Sequence, residues 1–135
     1  MKKIILFMFL MTNILFAYTV SWYGKGFDGK PTSSGYIFDS DDLTCASNKY
    51  PFGTVLKVTN RANGKSVKVV VTDTGSFRKK YGRELDLSRG AFQRIASLKT
   101  GLINADIKVV NQKHIFKYMK GNPHFTNQDY RRFLR

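Results

Sequence analysis

A chain of 135 residues with a formal net charge of +14 and one cysteine is long enough for one compact domain with a modest core, too short for two, and unable to form an internal disulfide. The positive excess favours an anionic partner. Both histidines, His114 and His124, lie beyond the last apolar strand, and Cys45 sits in the apolar setting Leu43-Thr44-Cys45-Ala46. A Cys-His nucleophile, a Ser-His-Asp triad and a histidine-based metal site are therefore poorly supported, and no metal or organic cofactor is expected.

Residues 1–17 read as a secretory signal peptide: Lys2-Lys3 precede an apolar run, and the small Ala17 precedes an alternating segment. The run is too short and interrupted for a membrane span, so cleavage after Ala17 and no stable membrane insertion afterwards are expected. No cysteine for lipid attachment ends this leader, and the expectation is a soluble exported protein. Residues 18–23 alternate as a strand that stops at Gly24, and Tyr36-Ile37-Phe38 offers a second short strand after a Gly-, Asp- and Ser-rich stretch. Residues 54–60 and 66–72 read as two strands around Asn63-Gly64, a pair suited to a tight hairpin turn with positive φ at both central positions. After a basic loop over residues 74–84, Ser88 is placed to cap a helix with Ala91, Phe92, Ile95 and Ala96 on its apolar stripe, and Gly101 to stop it. Residues 106–110 form a last strand. Six or so short strands with one clear helix predict a small closed β-barrel over residues 18–112. Residues 113–135 change character, with six basic side chains against one acid. They read as a basic C-terminal extension: a solvated and partly ordered end, a short helical appendage packed on the barrel, or a basic arm that holds an anionic polymer, with its deletion expected to leave the barrel's fold alone.

The chemistry points to Asp73. Val67, Val69, Val71 and Asp73 share one strand face by period-two alternation, so the carboxylate continues a row of core-facing valines and ends it at Thr74-Gly75. An acid partly removed from water, with a second acid nearby, is the setting for general-acid chemistry. The plainer alternative is a turn-closing aspartate that accepts backbone N–H bonds. Asp86 stands thirteen positions on, in Leu85-Asp86-Leu87-Ser88. The remaining acids sit in polar clusters, loops or the extension, open a strand, as Asp106 does, or stand beside a base, as Glu84 does beside Arg83.

Taken together, Ser21-Trp22-Tyr23-Gly24, Thr32-Ser33-Ser34-Gly35, Leu43-Thr44, Pro51-Phe52-Gly53-Thr54, Val58-Thr59-Asn60, Asn63-Gly64, Thr72-Asp73-Thr74-Gly75-Ser76-Phe77 and Leu85-Asp86-Leu87-Ser88 resemble the rare lipoprotein A family in order and spacing. The resemblance implies a mainly β fold, a six-stranded double-psi β-barrel with one or two short helices, shared with bacterial expansins. It also implies a lytic transglycosylase that cuts peptidoglycan glycan strands to 1,6-anhydro ends. Where active members carry a glutamate and a histidine, this chain has Tyr36 and Ser47, while Asp73 matches the family's essential aspartate and Asp86 the aspartate of the expansin barrels.

The expected catalytic residues are thus Asp73 and Asp86, and the expected substrate-binding residues are Tyr23, Tyr36, Ser47, Phe77, Arg78 and Arg83. Peptidoglycan glycan strands, with stem-peptide carboxylates to meet the positive charge, are the expected partner of a monomeric, cofactor-free protein in the periplasm. Nucleic acid is not expected, because the chain carries no recognisable nucleic-acid module. A second reading stays open at this point: a non-catalytic, expansin-like barrel that grips or loosens the wall without cutting it.

Overall fold

The computed structural model describes residues 17–24, 26–75, 83–121 and 124–135, with Arg83 described by its backbone alone. The expected signal peptide, up to residue 16, and the site candidates Phe77 and Arg78 lie outside the described residues. Six strands, β1 (Tyr18–Tyr23), β2 (Thr44–Ala46), β3 (Val55–Asn60), β4 (Ser66–Asp73), β5 (Arg83–Ser88) and β6 (Leu102–Asn111), close into a barrel in the order β1-β5-β2-β4-β3-β6. Two of the six pairings, β1 with β5 and β2 with β4, are parallel; the other four are antiparallel.

Alternation fills the barrel. Val20, Leu56, Val58, Val67, Val69, Val71, Leu85 and Leu87 form the interior with Phe92 and Ile95, each strand sending every second residue inward. Ser88 caps the short helix α1 (Arg89–Gln93) as its sequence position predicted, its hydroxyl accepting from the Ala91 amide at 3.1 Å. The β3–β4 hairpin forms, but not through the tight turn expected. Residues 61–65 make a five-residue loop in which Gly64 alone has positive φ, at +74°. The side chains of Asn60 and Asn63 both donate to the Ile95 carbonyl, and Asn63 also accepts from the Lys65 amide. These bonds hold Asn63 in service of the loop, away from a two-residue turn.

Tyr36-Ile37-Phe38 is not a barrel strand. Its period-two burial is present, with Tyr36 and Phe38 buried and Ile37 less so, but its hydrogen bonds stay local, from Gly29 to the Phe38 carbonyl and from Phe38 to the Lys30 carbonyl.

Of the forms open to the C-terminal extension, the structure shows the helical appendage packed on the barrel. Val55 and Val70 pair across β3 and β4 on the outer face, and both are fully buried. They are covered, with Tyr36 and Phe38, by Phe125 and Phe133. Phe133 lies on helix α2 (Asn127–Leu134), which opens with a reciprocal Thr126–Asp129 capping box. Backbone bonds run from Phe116 to the Phe52 carbonyl at 3.1 Å and from Met119 to the Ser34 carbonyl at 2.8 Å. Tyr130 donates to the Lys68 carbonyl at 2.7 Å. The extension is therefore a packed part of the fold, because a run such as Val69-Val70-Val71 has an apolar outer face to hide.

At Gly53, with φ +93°, an added Cβ would stand 2.2 Å from the His114 carbonyl oxygen, so the extension crosses where only glycine leaves room. Gly53→Ala is expected to cost about 2 kcal/mol or more of stability, read as a lower urea midpoint at unchanged slope.

Candidate active site

The short strand β2 organises the site. Ala46 pairs with Asp73 on β4 to one side and with Asp86 on β5 to the other, which puts the two aspartate backbones about 10 Å apart, two strand spacings. Cys45 and its partners Val71 and Leu87 belong to the interior, so Ala46 and the residues paired with it face outward. The register of β4 against β2 shifts by one residue between Val71 and Asp73. That bulge breaks the alternation that would have kept Asp73 in line with the inward valines and turns it to the face shared with Asp86. Ser21, paired with Asp86, continues the same face onto β1, and Tyr23 follows two residues on.

Asp73 is half-buried and held through one oxygen. Its Oδ1 accepts from the Ser33 amide at 3.1 Å, the Ser33 hydroxyl at 2.9 Å and the Thr74 amide at 2.9 Å. The Ser33 and Thr74 hydroxyls stand 2.8 Å apart. Among the described residues nothing donates to Oδ2. A protonated Asp73 would then carry its proton on Oδ2, since Oδ1 is committed as an acceptor three times over. The β4 exit is fixed in turn: Ser47 donates its amide to the Asp73 carbonyl at 2.9 Å, and the Asn48 side chain bonds both the amide and the carbonyl of Gly75. Asp86, also half-buried, accepts from the Ser21 hydroxyl.

Tyr23 completes the strip. Its ring stacks on Phe38 with centroids 4.7 Å apart and meets Phe27 edge-on, and its buried hydroxyl has no hydrogen-bond partner among the described residues. Burial first, and then the charge of Asp73 with a smaller contribution from Asp86, push the phenol up. The hydroxyl therefore stays a neutral donor beside the two acids.

Two expected binding residues are placed elsewhere. Tyr36 is fully buried, its hydroxyl donating to Asp42 at 2.6 Å and its ring edge-on to Phe125. Burial and the bond to Asp42 push its phenol up, while burial pushes the Asp42 carboxyl up in the same direction. Tyr36 has no surface to offer a sugar. Ser47 is 2% exposed, and its hydroxyl accepts from the Lys49 and Tyr50 amides, closing a turn. Arg83 pairs by backbone with Thr19 at the start of β5. Cys45 is wholly buried and burial pushes its thiol up, in keeping with a packing role.

The residues not singled out beforehand are Ser33, Thr74 and Ser21, which hold the two carboxylates. Their signal was present as hydroxyls inside the Thr32-Ser33-Ser34-Gly35 and Ser21-Trp22 motifs, but it takes the fold to aim them.

The closed six-stranded order with two parallel pairs is that of a double-psi β-barrel, and this one carries two aspartates on one outward face. Residues 16–107 match the family model described as lytic transglycolase, and the chain belongs to that family, as its resemblance to rare lipoprotein A proteins implied. It is 44% identical over 90 residues to the probable endolytic peptidoglycan transglycosylase RlpA of Synechocystis sp., covering 67% of this chain and 27% of that protein. It is 43% identical over 90 residues to the endolytic peptidoglycan transglycosylase RlpA of Vibrio cholerae, covering 67% and 34%. The match thus spans about a third or less of these relatives' length. In fold, the chain is similar to an expansin of Clavibacter michiganensis in complex with cellohexaose, at TM-score 0.58 and 21% identity over 75% of this chain and 52% of that one. It is also similar to the Streptomyces papain inhibitor, at TM-score 0.59 and 20% identity over 73% and 96%.

Proposed function

We propose that this protein is an exported peptidoglycan lytic transglycosylase that cleaves glycan strands to 1,6-anhydro ends, with Asp73 as its general acid and then its base. The observation that carries the reading is the one-sided grip on Asp73, which leaves Oδ2 without a donor among the described residues. The identity to relatives named for this activity supports it.

In the proposed reaction Asp73 gives the Oδ2 proton to the glycosidic oxygen as the C1–O bond breaks. The C6 hydroxyl of the same sugar then forms the new bond to C1 and returns its proton to Asp73. No water is consumed and the enzyme ends as it began, so one carboxyl serves both steps without the paired acid and nucleophile of ordinary glycoside hydrolysis. Asp86, fixed by Ser21, faces the positive charge that develops at C1. The working place is the periplasm, reached through the N-terminal leader.

The competing reading, a barrel that grips glycan without cutting it, is favoured by one observation: Tyr36 and Ser47 are spent inside the fold, so Asp73 has no help from either. Ser33→Ala separates the two. For an enzyme, loss of the hydroxyl that orients Asp73 should lower kcat about tenfold with little change in KM, read as muropeptide release from purified sacculi. A protein that binds sacculi and releases nothing in either form is the binding module.

A further inference from the structure

We infer that the C-terminal extension supplies a glycan-binding subsite of its own, with the Tyr118 ring as a sugar-stacking platform and Lys117 and Lys120 placed for stem-peptide carboxylates. The inference rests on the proposed glycan substrate and extends it to a segment beyond the family match, which ends at residue 107.

The turn that holds Asp73 also seats Tyr118. Thr32 and Tyr36 close this turn through the Thr32 amide and hydroxyl, both donating to the Tyr36 carbonyl at 2.8 Å. Ser33, near one end, carries the two donors to Asp73. Ser34 and Gly35, near the other, carry the extension: the Met119 amide donates to the Ser34 carbonyl at 2.8 Å. A Cβ on Gly35 would meet the Met119 carbonyl oxygen at 2.8 Å and the Tyr118 ring at 3.0 Å. Gly35 has φ +92°, so backbone conformation and space both reserve this place for glycine, and the ring lies directly against it. Two residues of chain, at most ~7 Å, separate Gly35 from Ser33. A glycan strand lying across Asp73 and along the turn therefore reaches Tyr118 within a sugar unit or two.

The backbone that carries the ring is fixed, and the ring is not covered. Tyr118 is 63% exposed, the most exposed large apolar side chain among the described residues. Its segment is tied down on both sides, by the Phe116 amide to the Phe52 carbonyl and the Met119 amide to the Ser34 carbonyl, with Phe116 packed against Phe52 and Phe133. An aromatic face held in place by backbone bonds and left open to solvent loses little further freedom when a pyranose stacks on it. Lys117 and Lys120 flank it, both exposed, and give the platform the charge that peptide-bearing strands would meet.

Binding is measured for the full chain carrying Asp73→Asn, which stops turnover without touching the extension, against glycan strands stripped of peptide and strands that retain it. Tyr118→Ala should weaken binding to both about tenfold with an unchanged thermal midpoint, and Tyr118→Phe should keep it. Lys117→Gln with Lys120→Gln should weaken binding to peptide-bearing strands alone. If the parent binds glycan and Tyr118→Ala binds equally well, or if the Ala and Phe variants fall together, the platform is refuted and the proposed activity stands. A parent that binds neither strand type removes the glycan reading itself, and the inference with it.

Discussion

Asp73→Asn is expected to reduce release of 1,6-anhydro products from purified sacculi by about a thousandfold, with the fold and glycan binding retained. The separation follows from how the carboxylate is held. An asparagine oxygen in the place of Oδ1 can accept the same bonds from Ser33 and Thr74, so the turn keeps its anchor. The amide nitrogen then occupies the position of Oδ2, and its protons are far too weakly acidic to protonate a departing sugar oxygen. Product analysis by mass, beside circular dichroism and sacculus sedimentation, checks all three parts. Full activity in the variant would move the catalytic proton to another group.

Phe133→Ala should cost about 3–5 kcal/mol, a large share of the stability of a domain this size. Its ring is 1% exposed, stacks on Phe125 at 5.5 Å and takes the edge of His114, and it shares the second core cluster with Val55 and Val70. Truncation before Lys113 removes this cover entirely and should leave a chain that no longer unfolds cooperatively in urea. Were the extension a solvated arm, both changes would be close to neutral in stability, and truncation would matter mainly for binding at low salt.

The β3–β4 hairpin, the Ser88 cap and the placing of Asp73 and Asp86 at one site could all be read from alternation, a hydroxyl before an apolar stripe, and the family motifs. Each depends on residues near one another in sequence, or on a pattern the family repeats. The outward turn of Asp73 could not, because a bulge inserts one residue into a register that alternation assumes to be unbroken, and Thr72-Asp73-Thr74 contains nothing that announces it.

The placement of the extension stayed open for a different reason. Its charges are more numerous than its rings, yet Phe125 and Phe133 decide its placement, since two aromatic side chains bury far more apolar surface than surface cations contribute in pairing. The hint lay elsewhere: Val69-Val70-Val71 fills both faces of a strand, and one of those faces had to be covered by something outside the barrel. Tyr36 belongs to the same account. Set between glycine and isoleucine it reads as a rim residue, but Phe125, eighty-nine positions away, makes its surroundings apolar.

The central claim is that Asp73 drives a cleavage in which the sugar's own C6 hydroxyl replaces water. It is tested most directly by incubating the purified wild-type protein with sacculi in isotopically heavy water and weighing the released strand ends by mass spectrometry. The account predicts 1,6-anhydro ends that carry no heavy oxygen. Reducing ends that have taken up heavy oxygen would show hydrolysis, and sacculi that bind the protein yet release no ends would show a barrel that holds glycan without cutting it; either result contradicts the account.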